Sequence, residues 1–186
     1  EKNRTIIGGG SNILITENLP GIVIHNRIKG IHKIREDEKH TWLKVGAGVG
    51  WHDFVLHCID KGLGGVENLS LIPGSVGAAP MQNIGAYGVE LKDVFWELEG
   101  FSFDSQMRLI FNKPLCEFGY RSSIFKTRLR DKIFITSVTF RLSKDPVLDT
   151  SYGAIKSELE KHEIIEPSIK DVSDAVIRIR QSKLPD

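Results

Sequence analysis

Ile72-Pro73-Gly74-Ser75-Val76-Gly77-Ala78-Ala79-Pro80, followed two residues later by Asn83-Ile84-Gly85-Ala86-Tyr87-Gly88, is the stretch on which the fold turns. Small residues dominate it, and no charged residue stands between positions 72 and 88. Without bulky side chains, such a backbone can press against a flat or phosphorylated ligand. It can equally serve close packing of a helix on a strand, and the residues alone leave both readings open.

Working outward, the other glycines cluster on the N-terminal side. The chain has 18 glycines, concentrated before residue 90. Gly8-Gly9-Gly10-Ser11-Asn12 lies between apolar Ile6-Ile7 and Ile13-Leu14-Ile15. Its backbone amides either form a nest for an anion or simply turn the chain. It is no Walker A loop, because no Gly-Lys-Ser/Thr follows. Gly46-Ala47-Gly48-Val49-Gly50 approaches the dinucleotide fingerprint, but Trp51 takes the place of the last glycine, so a Rossmann reading fails.

Short runs at Ile13-Leu14-Ile15, Ile22-Val23-Ile24 and Trp42-Leu43-Lys44-Val45 predict strands. Trp51, Phe54, Val55, Cys58 and Ile59 share one helical face, with Gly62 placed to end that helix. From Val94 the period becomes two. Val94, Trp96 and Leu98, then Phe101 and Phe103, turn at Asp104-Ser105 and return through Met107, Leu109 and Phe111, an antiparallel hairpin. A further strand alternates through Ile133 and Ile135, then Val138, Phe140 and Leu142. After Pro146 the chain turns helical, and Ser168 with Asp171 predicts a capped helix bearing Ile169, Val172, Val176 and Ile179 on one face. The fold class is α+β.

Composition narrows the function. Across 186 residues, 25 Lys and Arg against 24 Asp and Glu leave a net charge of +1, which gives no global field for nucleic acid or anionic membrane. Hydrophobic content of 40% and charged content of 26% suit a globular domain. No apolar run approaches the ~20 residues of a membrane span. Cys58 and Cys116 are the two cysteines, too far apart in sequence for a zinc ligand pattern and too few for a disulfide framework, so a reducing cytoplasmic location is expected. His52 and His57 lack the spacing of a metalloprotease helix, and no metal site is expected. The basic run Arg121, Lys126, Arg128, Arg130 and Lys132 has no interleaved aromatics and reads as a solvated face.

Four strings occur in register: Gly8-Gly9-Gly10-Ser11-Asn12, the run from Leu71 through Pro80, Gln82-Asn83-Ile84-Gly85-Ala86-Tyr87-Gly88, and Phe118-Gly119-Tyr120-Arg121-Ser122-Ser123-Ile124-Phe125-Lys126. Together they resemble the UDP-N-acetylenolpyruvoylglucosamine reductases (UDP-N-acetylmuramate dehydrogenases), flavoenzymes of peptidoglycan precursor synthesis, and the likeness runs over residues 7–186. The resemblance implies a FAD-binding domain of the vanillyl-alcohol-oxidase (PCMH) type, with two α/β subdomains and a mainly antiparallel sheet in the second. The expected divisions are 1–50 and 51–150 for the FAD subdomains and 151–186 for a helical connection to a further substrate domain.

By the same resemblance FAD is held non-covalently and NADPH is the reductant. Hydride passes from NADPH to the flavin and on to the enolpyruvyl double bond of the UDP-sugar substrate. Gly8, Gly9, Gly10, Ser11 and Asn12 match the loop on the FAD pyrophosphate. Pro73, Gly74, Gly77, Ala78, Asn83, Ile84 and Gly85 match the stretch lining the cofactor. Arg121 matches the active-site arginine, whose guanidinium can stabilise an enolate. Tyr120 shapes the substrate pocket, Tyr152 matches the tyrosine that closes over substrate in the type I branch, and Lys183 matches a lysine near the substrate diphosphate or the NADPH phosphate. A cytoplasmic monomer is expected, without nucleic-acid or membrane partners.

The chain departs from that pattern at its ends. It opens on Glu1 without methionine and stops at Asp186, after Lys183-Leu184-Pro185. The family's Gly-Ser-Phe-Phe-type segment, whose serine supplies the proton, is not in these residues, nor is the family's C-terminal glutamate. A fragment inactive on its own is therefore expected. Two other functions fit the residues: another FAD-linked oxidoreductase of the same superfamily, or a flavin-binding module without catalysis.

Overall fold

Strand β9 (Ile133–Ser143) is the axis of the structure, a computed structural model that describes residues 4–183. It lies in the middle of a five-stranded sheet of order β3-β4-β9-β7-β8. Its neighbours are β4 (His40–Gly46) and β7 (Phe95–Ser102), both antiparallel to it. The edges are β3 (Ile31–Glu36) and β8 (Arg108–Asn112). The sheet thus takes strands from both sides of residue 50, and the 94–111 hairpin forms where the period of two placed it.

One face of this sheet carries the core. Leu43 and Val45 of β4 stand opposite Phe140 and Val138 of β9, which in turn face Phe95 and Leu98 of β7. All six are buried in one cluster. Helix α1 (Trp51–Asp60) covers them with Trp51, Phe54, Val55 and Cys58. Phe54 packs its ring 4.5 Å from Phe140, and Trp51 meets the same ring at 5.9 Å. The helix ends where sequence placed the end. Gly62 takes φ +68°, and Leu63 N donates back to the Cys58 carbonyl at 2.9 Å.

The phase break in β9 has a cause. Pairing with β7 slips between Glu99 and Gly100, so Ser137 and Ile135 are matched while Thr136 is skipped. Thr136 turns its hydroxyl to the Glu99 carbonyl (3.1 Å) and its carbonyl to Ala47 N (3.0 Å). The skipped residue anchors the glycine loop that follows β4.

Two parallel strands, β1 (Arg4–Ile7) and β2 (Ile22–His25), form a separate small sheet joined through the residue 8–21 loop. The strand expected at Ile13-Leu14-Ile15 is not formed. Those residues lie in irregular, exposed chain, Leu14 being 88% exposed. Apolar composition alone makes no strand, and here β1 and β2 pair with each other across the loop that carries these residues.

A 3-10 stretch, Val76–Gln82, crosses from α1 to the β-hairpin of β5 (Gly85–Ala86) and β6 (Val89–Glu90). Short helices α2 (Leu91–Val94) and α3 (Lys113–Cys116) flank the 95–112 hairpin. Near the C-terminal side, α4 (Gly153–Lys161) and α5 (Ile169–Gln181) share a second apolar cluster built on Ile155, Leu159, Ala175, Val176 and Ile179. The capping box on α5 is formed, with Ser168 Oγ accepting from Asp171 N. Among the described residues no helix is long and apolar enough to cross a membrane.

Candidate functional site

Glycine lets three backbone segments meet here. Gly46 and Gly48 lie so close to residues 26–29 that a Cβ on either would come within 2.4 and 2.5 Å of that backbone. On the other side of this loop, Gly77 N donates to Ala47 O at 2.8 Å and Val76 N to Val49 O at 2.9 Å. The near-fingerprint at residues 46–50 is therefore packing between backbones. The Trp51 amide at the start of α1 donates to the Gly74 carbonyl, so that helix start serves the loop.

The third segment is the 8–12 loop, and it closes on residues 74–75. A Cβ on Gly8 would fall 2.2 Å from Ser75 Oγ, and one on Gly9 would lie 3.2 Å from Gly74 Cα. Gly10 has φ +74° with nothing within 4 Å of where its Cβ would stand. The two glycine-rich strings, some sixty residues apart in sequence, thus form one surface.

That surface borders a cleft of about 600 Å³. Ser11, Asn12 and Ile13 form one side, and Pro73, Gly74, Ser75 and Ala78 the floor. Trp51, Ile72, Met81 and Ile84 add apolar wall, while Lys126, Arg130 and Asp131 come from the turn-rich loop that precedes β9. A smaller recess of about 120 Å³ shares Ser75, Ala78, Met81 and Asp131 with it and adds Gly8, Gly77 and Asn26. Below the floor, His52 Nδ1 accepts from Leu71 N at 3.0 Å. Burial holds the His52 imidazole below its ordinary pKa, with nearby Asp53 opposing the shift.

Arg121 has φ +51° and, like Asn83 and Gly85 around it, is not among the residues that line this cleft. Its guanidinium donates to the Gly85 carbonyl, and its own carbonyl accepts from Lys126 Nζ at 3.1 Å. Asn83 holds the same corner together from inside. It is fully buried with φ +42°, donates from Nδ2 to Gly119 O at 3.1 Å, and accepts at Oδ1 from Lys92 N at 3.0 Å. Both polar atoms of Asn83 are thus engaged within the chain, and Gly85 offers Arg121 its carbonyl.

Among the other sequence-chosen residues, Tyr120 is 85% exposed beside Arg121. Tyr152 precedes α4 and stacks edge-on against Tyr87 at 5.2 Å, so it and Arg121 flank the same β5–β6 hairpin. Neither Tyr152 nor Lys183 lines the cleft among the described residues. Lys183 follows α5, three residues past Arg180, whose Nε donates to Leu71 O at 3.1 Å. The remainder of its string, residues 184–186, lies outside the described residues.

Sequence reasoning passed over Trp51, Met81, Lys126, Arg130 and Asp131 as cleft residues. The last three sit in a turn-rich loop with no periodicity to show which way each side chain points. Among the described residues no cluster of three His, Cys, Asp or Glu is placed to hold a metal ion.

Residues 2–101, just over half of the chain, match the family of FAD binding domains. The chain belongs to that family. It is 56% identical over 179 residues to the UDP-N-acetylenolpyruvoylglucosamine reductase of Amoebophilus asiaticus, covering 96% of this chain and 53% of that relative. The Flavobacterium johnsoniae enzyme of the same name is 50% identical over 186 residues, all of this chain and 55% of that one. Among solved structures, the UDP-N-acetylenolpyruvylglucosamine reductase of Thermus caldophilus superposes with a TM-score of 0.68 at 25% identity, covering all of this chain and 58% of the other. The chain spans about half the length of the curated relatives it matches.

For a FAD binding domain the cleft has fitting parts. Gly8 and Gly9 approach Ser75 and Gly74 more closely than an ordinary Cβ contact would allow, apolar Trp51, Ile72, Met81 and Ile84 suit a flat ring, and Lys126 and Arg130 line the same cleft.

Proposed function

We propose that this chain holds FAD non-covalently in the cleft and forms the flavin-carrying part of a UDP-N-acetylenolpyruvoylglucosamine reductase. That enzyme would use NADPH to reduce UDP-N-acetylglucosamine enolpyruvate to UDP-N-acetylmuramate. The observation that carries the reading is the closure of Gly8 and Gly9 on Ser75 and Gly74 beside a cleft lined by Ser11, Asn12 and the 72–75 backbone.

Bound FAD would supply the hydride chemistry; the chain's residues bind, orient and stabilise charge. Gly8, Gly9, Gly10, Ser11 and Asn12 present amides and small polar groups where a diphosphate needs donors. Pro73, Gly74, Gly77 and Ala78 keep the floor low, and Ile84 contributes apolar wall. Asn83 and Gly85 fix Arg121, which commits one end of its guanidinium to the Gly85 carbonyl. Its remaining donors are free to face a carboxylate or the charge that hydride addition builds beside it. Tyr120, Tyr152 and Lys183 would complete the grip on the UDP-sugar. The proton donor is assigned to sequence outside these 186 residues, in keeping with the share of the relatives that this chain spans.

Two measurements test this. The purified chain should take up FAD, seen as flavin absorbance and quenched flavin fluorescence; a protein that stays colourless after supplementation refutes the reading. NADPH oxidation dependent on the enolpyruvyl UDP-sugar should be absent from the 186-residue chain and present in a protein that includes the flanking sequence. Turnover by the short chain at about 1 per second or faster refutes the placement of the proton donor.

A further inference from the structure

The basic run at residues 121–132, which reads in sequence as one solvated face, divides into two sets in space. Arg128 turns away to Glu117, with Nη2 at 2.5 Å from the carboxylate, and Lys132 reaches toward Asp104 at 3.7 Å. Lys126 and Arg130, four residues apart, instead line the cleft.

The loop that carries them is tied down. Ile124 and Phe125 are buried, and Phe125 meets the Phe111 ring at 5.1 Å. Ser123 Oγ donates to Met81 O at 2.8 Å, and Leu129 N to Ile124 O at 2.8 Å. The cations therefore stand on a fixed support and share the cleft with Ser11 and Asn12.

Their local counter-charge is small. Asp131 is the one carboxylate lining the cleft among the described residues. It lies 3.6 Å from Arg130 Nε, and both side chains are largely exposed, the setting in which an ion pair is weak. Lys126 donates to the Arg121 carbonyl, a neutral acceptor. Two cations and one anion thus line the same cleft as Ser11 and Asn12 of the glycine loop. Guanidinium and ammonium groups sharing a cleft with a glycine-rich loop form a site for a doubly charged, oxygen-rich group.

We propose that Arg130, assisted by Lys126, is a binding residue for the diphosphate of the flavin dinucleotide, in the cleft it shares with the 8–12 loop. This rests on the proposed function, and the experiment separates the two. The full chain is titrated with FAD and with riboflavin, which carries the same ring without phosphate, at low and high salt.

The wild-type chain binds FAD more tightly than riboflavin, and added salt narrows the difference. Arg130→Ala weakens FAD about 10- to 100-fold, the range of a charge-assisted hydrogen bond, and leaves riboflavin unchanged. Lys126→Met has a smaller effect of the same kind, and Arg130→Lys restores part of the loss. Arg128→Ala, in the same loop but paired to Glu117, binds both flavins as wild type does. Equal losses for FAD and riboflavin, equal losses in the Arg128 and Arg130 variants, or unchanged FAD affinity in Arg130→Ala each overturn the inference. Weakened NADPH or UDP-sugar binding with FAD unaffected also overturns it. A wild-type chain that binds no FAD refutes the proposed function itself.

Discussion

The meeting of Gly77 with Ala47 sets the floor of the cleft, and one added methyl group tests it. A Cβ at position 77 would lie 2.5 Å from the Ala47 Cβ and 3.1 Å from its carbonyl oxygen, against 3.4–4 Å for ordinary contact. Ala47 is fully buried and held from its other side by Thr136 O, so it has little room to retreat. Gly77→Ala must push the 76–82 segment outward by about 1 Å, straining the 2.8 Å bond from Gly77 N to Ala47 O. Overpacking of this kind costs about 1–3 kcal/mol, and a weakened hydrogen bond adds about 1 kcal/mol. For a domain of this size the sum lowers Tm by about 4–16 °C, read by thermal unfolding under circular dichroism. Ala47→Gly removes the opposing methyl group at a cost of its own of about 1–2 kcal/mol. The double variant should nevertheless be more stable than Gly77→Ala alone, which needs a coupling above that cost, about 2 kcal/mol or more. A Tm for Gly77→Ala within 1 °C of wild type, or strictly additive losses in the double variant, would refute the packing account.

Three further outcomes are expected. Arg121→Lys, which keeps the charge but loses the guanidinium geometry held on Gly85, should lower kcat of the proposed reductase, assayed in a protein that includes the flanking sequence, about 10²- to 10³-fold while FAD affinity stays put; kinetics and a flavin titration check the two halves. His52 has its pKa lowered by burial, so its neutral form is favoured in the fold and its contribution is complete above the unfolded value of about 6.5. That contribution is lost as pH falls through the lower folded value, so the stability advantage of wild type over His52→Asn in urea should shrink from pH 7 to pH 5; an advantage that grows on acidification refutes the sign. Burial raises both thiols, that of Cys116 to about 12 and that of Cys58 further, and both are fully enclosed. Neither should react with a disulfide reagent at pH 8 until the protein is unfolded, and fast labelling of the native chain contradicts this packing.

What sequence made legible was whatever had one buried face. Trp51, Phe54 and Cys58 announced α1 by their spacing, and Ser168 with Asp171 marked the start of α5, because in both the core lies on one side. β3 stayed unread: it is an edge strand of mainly exposed residues, His32, Lys33 and Arg35 among them, with no alternation to display. Residues 13–15 misled in the opposite sense, since apolar character alone does not pair a strand and these residues stay exposed. The family-bearing strings at residues 8–12 and 71–88 were visible, yet their contact was not, because tertiary approach leaves no local signature beyond the glycines that permit it. The division of the 121–132 cations was hidden for a similar reason. Glu117 and Asp104, which draw Arg128 and Lys132 aside, precede these partners by eleven and twenty-eight positions.

The order of the main sheet has a consequence for how the chain matures. β9 is its last strand in sequence yet lies between β4 and β7, so until it arrives both neighbours expose an unpaired edge. Pairing His40 with Ser143 closes a span of about a hundred residues, the kind of distant pairing that slows folding. On a ribosome adding about 5–20 residues per second, roughly 5–20 s separate the synthesis of His40 from that of Ser143. Thr136, which anchors the Ala47 loop, arrives on the same strand. The nascent chain therefore cannot assemble its flavin cradle in stages from the N-terminus. Cofactor capture follows insertion of β9, and free FAD cannot guide the folding of the first 130 residues.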